Sequence, residues 1–176
     1  MASRHSEYLA AGAAVAAVVR DDPERNAAMV EKLRLPFPIL SDPDRSQAIR
    51  PYLASDEGDP RDIATPTTVV IGPDGSELWR HQSKDFADRP PEDGALEAVQ
   101  ALGLEPTSQP EPTPGSPEPG PKAMKLSDLA PYYRGAKFGS VVAGKRFPEL
   151  DEGLTDFRTM LDGYIEAVVA LGGDQR

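Results

Sequence analysis

Acid–base or nucleophilic chemistry in this chain would have to be built from two histidines, His5 and His81, from Ser41 beside Asp42 and Asp44, and without any cysteine. The histidines are far apart in sequence and have no carboxylate pattern around them that suggests a metal site. His81 reads as an exposed strand residue. Asp42 and Asp44 flank Pro43, a spacing better suited to closing a turn and capping a helix than to sharing a proton. Ser41 has no histidine or lysine nearby in sequence to act as its base, so a hydrolase triad lacks support. Gly12, Gly72 and Gly75 do not compose a phosphate loop. No residue is assigned a catalytic, cofactor-binding or metal-binding role on these grounds. Tyr132-Tyr133-Arg134 with Lys137 has the composition of an aromatic and basic patch, and packing within a helical pair accounts for it better.

Zero cysteines exclude disulfides, thiolate metal sites and sulfur redox chemistry, and leave the redox compartment open. The net charge of -10 repels phosphate backbones and anionic lipid, which argues against nucleic-acid or membrane-surface binding. Residues 8–19 superficially resemble a secretory signal with a small-residue site at Ala14-Val15-Ala16. They run directly into Arg20-Asp21-Asp22-Pro23-Glu24, a helix start that suits a buried strand over 13–19. The apolar run is too short to cross a bilayer, and the cytoplasm is the default compartment.

These residues require elements to position them. Residues 2–11 read as the end of a helix stopped by Gly12, followed by the strand 13–19. Asp21 or Asp22 is expected to accept bonds from the free amides of the next helix, with Pro23 at its first position and Pro36 ending it near Leu35. Residues 37–40 form a short strand, 44–52 a short helix and 55–62 a polar loop. Strands 67–71 and 77–82, joined by Pro73-Asp74-Gly75, are the strongest hairpin signal. A helix covers 90–102, with Gly103 at its stop, and residues 85–89 form a solvated turn.

Residues 105–121 hold seven prolines and no large apolar side chain, the composition of a stiff, extended tether. They divide the chain into a domain over 1–104, the linker 105–121 and a helical pair over 122–176. In the last part Leu154, Phe157, Leu161, Tyr164, Val168 and Leu171 recur at steps of three and four, the seam of an amphipathic helix. A second helix spans 131–147, where Gly135 and Gly139 permit close approach. Its neighbourhood is basic, +5 over residues 122–147, against -5 over 148–176. Opposite charge and complementary apolar faces predict an antiparallel hairpin that docks on a protein partner.

Thr65-Pro66 entering the strand 67–71, with Phe37-Pro38-Ile39-Leu40-Ser41-Asp42-Pro43-Asp44 upstream, resembles the redoxin branch of the thioredoxin fold, the alkyl hydroperoxide reductase/thiol-specific antioxidant family. The likeness covers about residues 2–102. It implies an α/β, thioredoxin-like three-layer sandwich with a mixed sheet, followed here by the helical hairpin. The family's central strand and the start of its cysteine-bearing helix would lie before residue 2. The expectation is therefore a truncated domain, or a gene start upstream of Met1. An open central gap would leave bare peptide groups, so strands 13–19 and 67–71 are expected to pair directly, or a partner's strand to lie between them.

The resemblance also implies a cis Pro66, as in thioredoxin-like members, with Thr65 and Pro66 facing an extended substrate, while an ordinary edge-strand proline is the other reading of the same residue. The family's activity is thiol-dependent reduction of peroxides or disulfides. A chain without cysteine is expected to be inactive in it, and the alternative is a non-catalytic interaction module that binds a protein through its sheet or its C-terminal helices.

Overall fold

The computed structural model describes residues 1–52, 64–83 and 92–173. It divides into two compact units, Met1–Pro119 and Gly120–Arg176. The expected loop 55–62, the turn 85–89 and the Pro90-Pro91 helix start lie outside the described residues. The architecture is mixed α/β, with small sheets and C-terminal helices.

In the first unit, helix α1 (His5–Ala10) ends at Gly12, whose φ is +86°. A side chain there would also strike Leu104 and Glu105, 2.6 and 2.8 Å from its Cβ, so both conformation and space demand glycine. Strand β1 is Ala17–Val19, shorter than the expected 13–19, and pairs in parallel with β2 (Ile39–Ser41) from Ala17↔Ile39 to Val19↔Ser41. Between them α2 (Pro23–Leu33) starts at Pro23 and stops at Arg34, which takes a left-handed conformation two residues before Pro36. Neither Asp21 nor Asp22 caps it through a side chain. Both instead lie 3.8 Å from Arg25, and the buried Asn26 amide ties the helix to Asp21 O and, at 2.8 Å, to Ser41 Oγ.

Helix α3 is only Ile49–Tyr52 rather than 44–52. Residues 42–49 are drawn around the Asp42 carboxylate, and Arg45 has φ +64°, a conformation a helix does not admit. The hairpin matches its expected limits: β3 (Thr67–Ile71) and β4 (Glu77–Gln82) pair antiparallel from Thr67↔Gln82, with an irregularity at Val70/Ile71. Its turn is closed by Gly72 N–H to Ser76 O, by Gly75 at φ +82°, and by Asp74 Oδ1, which accepts from Ser76 N and Oγ. Helix α4 (Glu92–Gln100) ends in a turn with Gly103 at φ +60°.

The sheet expectation needs correcting. β1–β2 and β3–β4 are separate two-stranded sheets, so strands 13–19 and 67–71 do not pair directly. Apolar side chains join them instead: Tyr8, Val15, Phe37, Val70, Ala95, Leu96 and Val99 form one buried cluster, with Trp79 packed against it. Trp79 lies so close to α4 that a Cβ on Gly94 would sit 2.9 Å from its ring.

The second unit pairs α5 (Leu126–Arg146) with α6 (Asp151–Ala170) through a short turn of 3-10 helix, Pro148–Leu150. All six expected seam residues of α6 are at least half-buried, Leu161 and Val168 fully. The pairs Lys137–Asp162 and Gly144 against Asp151 place the helices antiparallel. α5 begins five residues before the expected 131, because Pro131 is carried inside the helix at the cost of one amide bond.

Candidate functional site

Pro66 lies just before β3, and its carbonyl accepts the Ser83 amide at 2.9 Å. The Thr65 carbonyl accepts the Thr67 hydroxyl at 3.0 Å. Both residues are half-buried. There is no cis peptide bond among the described residues, so the expected cis Pro66 is corrected to trans. A pairing bond to Ser83 already holds its carbonyl in line with the hairpin, and the strand needs no reversal there. Beside it, Ser83 Oγ is buried without a hydrogen-bond partner, a feature that no pattern in the sequence announces.

Ser41 and Asp42 are structural. The Ser41 hydroxyl is bound by Asn26, and Asp42, 1% exposed, accepts from the amides of Gln47 (3.2 Å), Ala48 (2.9 Å) and Ile49 (2.8 Å). Burial pushes the Asp42 carboxyl up, but the amides of Ile49, Ala48 and Gln47 outweigh it and hold the group below its ordinary range. Asp44 accepts from Ser46 N and Oγ, the turn-closing duty its spacing around Pro43 suggested, and its side chain also hydrogen-bonds Asp42, the smallest of the influences that lower that carboxyl. His81 is half-buried on β4 and stacks beside Trp79 at 6.2 Å.

His5 takes part in an arrangement that the sequence reading missed. The side-chain amide of Gln109 accepts from Val15 N–H (2.9 Å) and donates to Val15 O (2.7 Å), while His5 Nε2 lies 3.1 Å from Gln109 Oε1. Because that oxygen is an acceptor, His5 Nε2 carries the proton. Residues two apart in an extended chain present their peptide groups to the same side, so Gln109 supplies the rung next in line to the Ala17 N–H···O Pro38 bond. Thr107 N–H to Leu9 O and Glu118 N–H to Glu24 O fix the same Pro-rich stretch on the first unit at two further points. Nothing in a run of prolines signals this, since the bonds depend on one glutamine meeting a distant strand. Gln109→Ala is expected to destabilise the first unit by about 1 to 3 kcal/mol, the cost of orphaning a buried peptide group. Hydrogen exchange at the Val15 amide is the check, and an unchanged rate would show that the contact protects nothing.

A cleft of about 330 Å³ is lined by Arg20, Asp21, Asp22 and Arg25, charged side chains without the apolar walls of a small-molecule pocket. Among the described residues no group of three or more His, Asp or Glu is placed to hold a metal ion. No described helix is long and apolar enough to cross a membrane.

Residues 1–76 match the AhpC/TSA family. The match is consistent with a redoxin, peroxiredoxin-like member, the same family that Thr65-Pro66 and the 37–44 segment suggest in the sequence. It runs from α1 through β3 and ends in the turn before β4. No curated protein and no solved structure matches the chain.

Proposed function

We propose that this AhpC/TSA-type chain has a thioredoxin-like α/β domain from a family of thiol-dependent peroxide and disulfide reductases, and that its 176 residues do not themselves perform that chemistry. The observation that carries the reading is a match to the AhpC/TSA family in a chain with no cysteine. Reduction of a peroxide by this route requires a thiolate to attack one oxygen, leaving a sulfenic acid that a second thiol reduces. Methionine, the other side chain that is oxidised reversibly, forms a sulfoxide that needs its own reductase and not a sulfenic acid that a thiol resolves. Ser41 is already bound by Asn26 and buried Ser83 has no hydrogen-bonded base, so neither hydroxyl is activated to replace a thiolate.

Thr65 and Pro66 are the proposed substrate-facing pair. Because the Thr65 and Pro66 carbonyls are bound within the hairpin, their contribution to a substrate is surface shape and the remaining backbone rather than two free acceptors. The purified chain, supplied with hydrogen peroxide and a thiol reductant, or with a disulfide substrate, is expected to show no turnover above background. Turnover that survives repurification and scales with the amount of protein would overturn the reading.

A further inference from the structure

Helix α5 packs one face on α6 and leaves the opposite face open. Ala130, Ser140 and Gly144 are buried, whereas Tyr132, Phe138 and Val142 are 59%, 73% and 45% exposed. On the open side Asp128, Tyr132, Gly135, Gly139, Val142 and Arg146 follow one another at steps of four, three, four, three and four. At 100° per residue that spacing forms a single stripe about 27 Å long. All six are exposed, and a Cβ added to Gly135 or Gly139 would meet nothing within 4 Å. Each of these glycines costs the helix about 0.5 to 1 kcal/mol relative to alanine, and no contact in the described unit compensates for it.

The order of residues in the stripe identifies what covers it. Reversed about the level of Lys137, the stripe maps onto itself: Asp128 falls opposite Arg146, Tyr132 opposite Val142, and Gly135 opposite Gly139. A surface that is complementary to its own reverse, in charge as well as in size, is the requirement for an isologous contact. We propose that a second copy of this chain packs antiparallel on α5 through this stripe, with a two-fold axis at the level of Lys137. The facing glycines bring the two backbones close. Tyr132 then packs on Val142 on each side of the crossing, and Phe138, on one flank of the stripe, meets its own counterpart across the axis. An acidic residue at one end and a basic one at the other select the antiparallel orientation, because a parallel pair would set Asp128 against Asp128 and Arg146 against Arg146.

Sedimentation velocity of the full chain over a range of concentrations tests this. A monomer–dimer equilibrium is expected, abolished by Gly135→Glu, which places a charged side chain in the crossing. Asp128→Arg and Arg146→Asp are each expected to weaken the dimer about tenfold or more, since attraction becomes repulsion at two symmetric positions. The double variant Asp128→Arg/Arg146→Asp restores the pairing and is expected to return the dissociation constant to within about threefold of the parent. All three positions are exposed, and circular dichroism checks that the variants remain helical. If Gly135→Glu fails to fold, the charge-exchange series decides alone. A chain that stays monomeric at every concentration, a dimer indifferent to Gly135→Glu, or a double variant no tighter than the single ones would overturn the proposal.

Discussion

Leu96→Ala is expected to lower the stability of the first unit by about 2 to 5 kcal/mol, a large share of the ~5 to 15 kcal/mol a domain possesses. Leu96 is 2% exposed and sits in the buried cluster that joins the two small sheets among the described residues. Among the described residues no ladder joins the two-stranded sheets, and side-chain packing carries the cohesion between them. Trp79, the only tryptophan, packs against that cluster, so its fluorescence during urea unfolding reads the loss directly. A shift of the midpoint equivalent to less than about 0.5 kcal/mol would mean that α4 is not the keystone of this core.

The second large effect is expected at Asp42. Asp42→Ala leaves the amides of Gln47, Ala48 and Ile49 without their acceptor in a place with almost no water, and a fall in Tm on the order of 5 to 10 °C is expected. Its pH dependence has a definite sign. The folded-state carboxyl titrates below its ordinary value, so between the two values the native protein binds fewer protons than the unfolded chain. The contribution of Asp42 is therefore complete above about pH 4 and is lost as pH falls through the folded value. The gap in Tm between parent and variant should narrow on acidification. Glu7, Asp74 and Glu77 are also held low, by Arg4, Ser76 and Arg80 respectively, so the variant should retain some acid sensitivity. A gap that stays constant down to strongly acidic pH would rule out the charged form of Asp42 as the source.

The parts legible in the sequence are those fixed by local chemistry. Pro73-Asp74-Gly75 between two strand-forming runs placed the hairpin to the residue, and the three-four spacing of Leu154 to Leu171 located the α6 seam. Pro23 marked the start of α2 for the same reason. The misreadings came from contacts between residues distant in sequence or from competition for backbone groups. Asp44 looks like a helix start until Asp42 gathers the amides that a helix at 44–48 would need. Pro131 looks like the first residue of a helix, although α6 packing pays for carrying it inside. The pairing of strands 13–19 and 67–71 followed from a sheet order implied by resemblance, and here a packed apolar cluster joins the ladders in its place. Gln109 was invisible because its role depends on Val15, 94 positions away.

That glutamine also bears on solubility. A short ladder with a bare peptide group at its end is a template on which a foreign strand can grow, and each added strand offers a fresh edge to the next. At Val15 the rung is closed by a side chain, which satisfies both the donor and the acceptor and carries no backbone beyond them to copy. Growth ends there. The prolines on either side of it, Pro106 and Pro110, lack the amide hydrogens that another strand would need. The stretch whose composition reads as a spacer thus shields the end of the β1–β2 ladder from the aggregation that exposed strand edges invite.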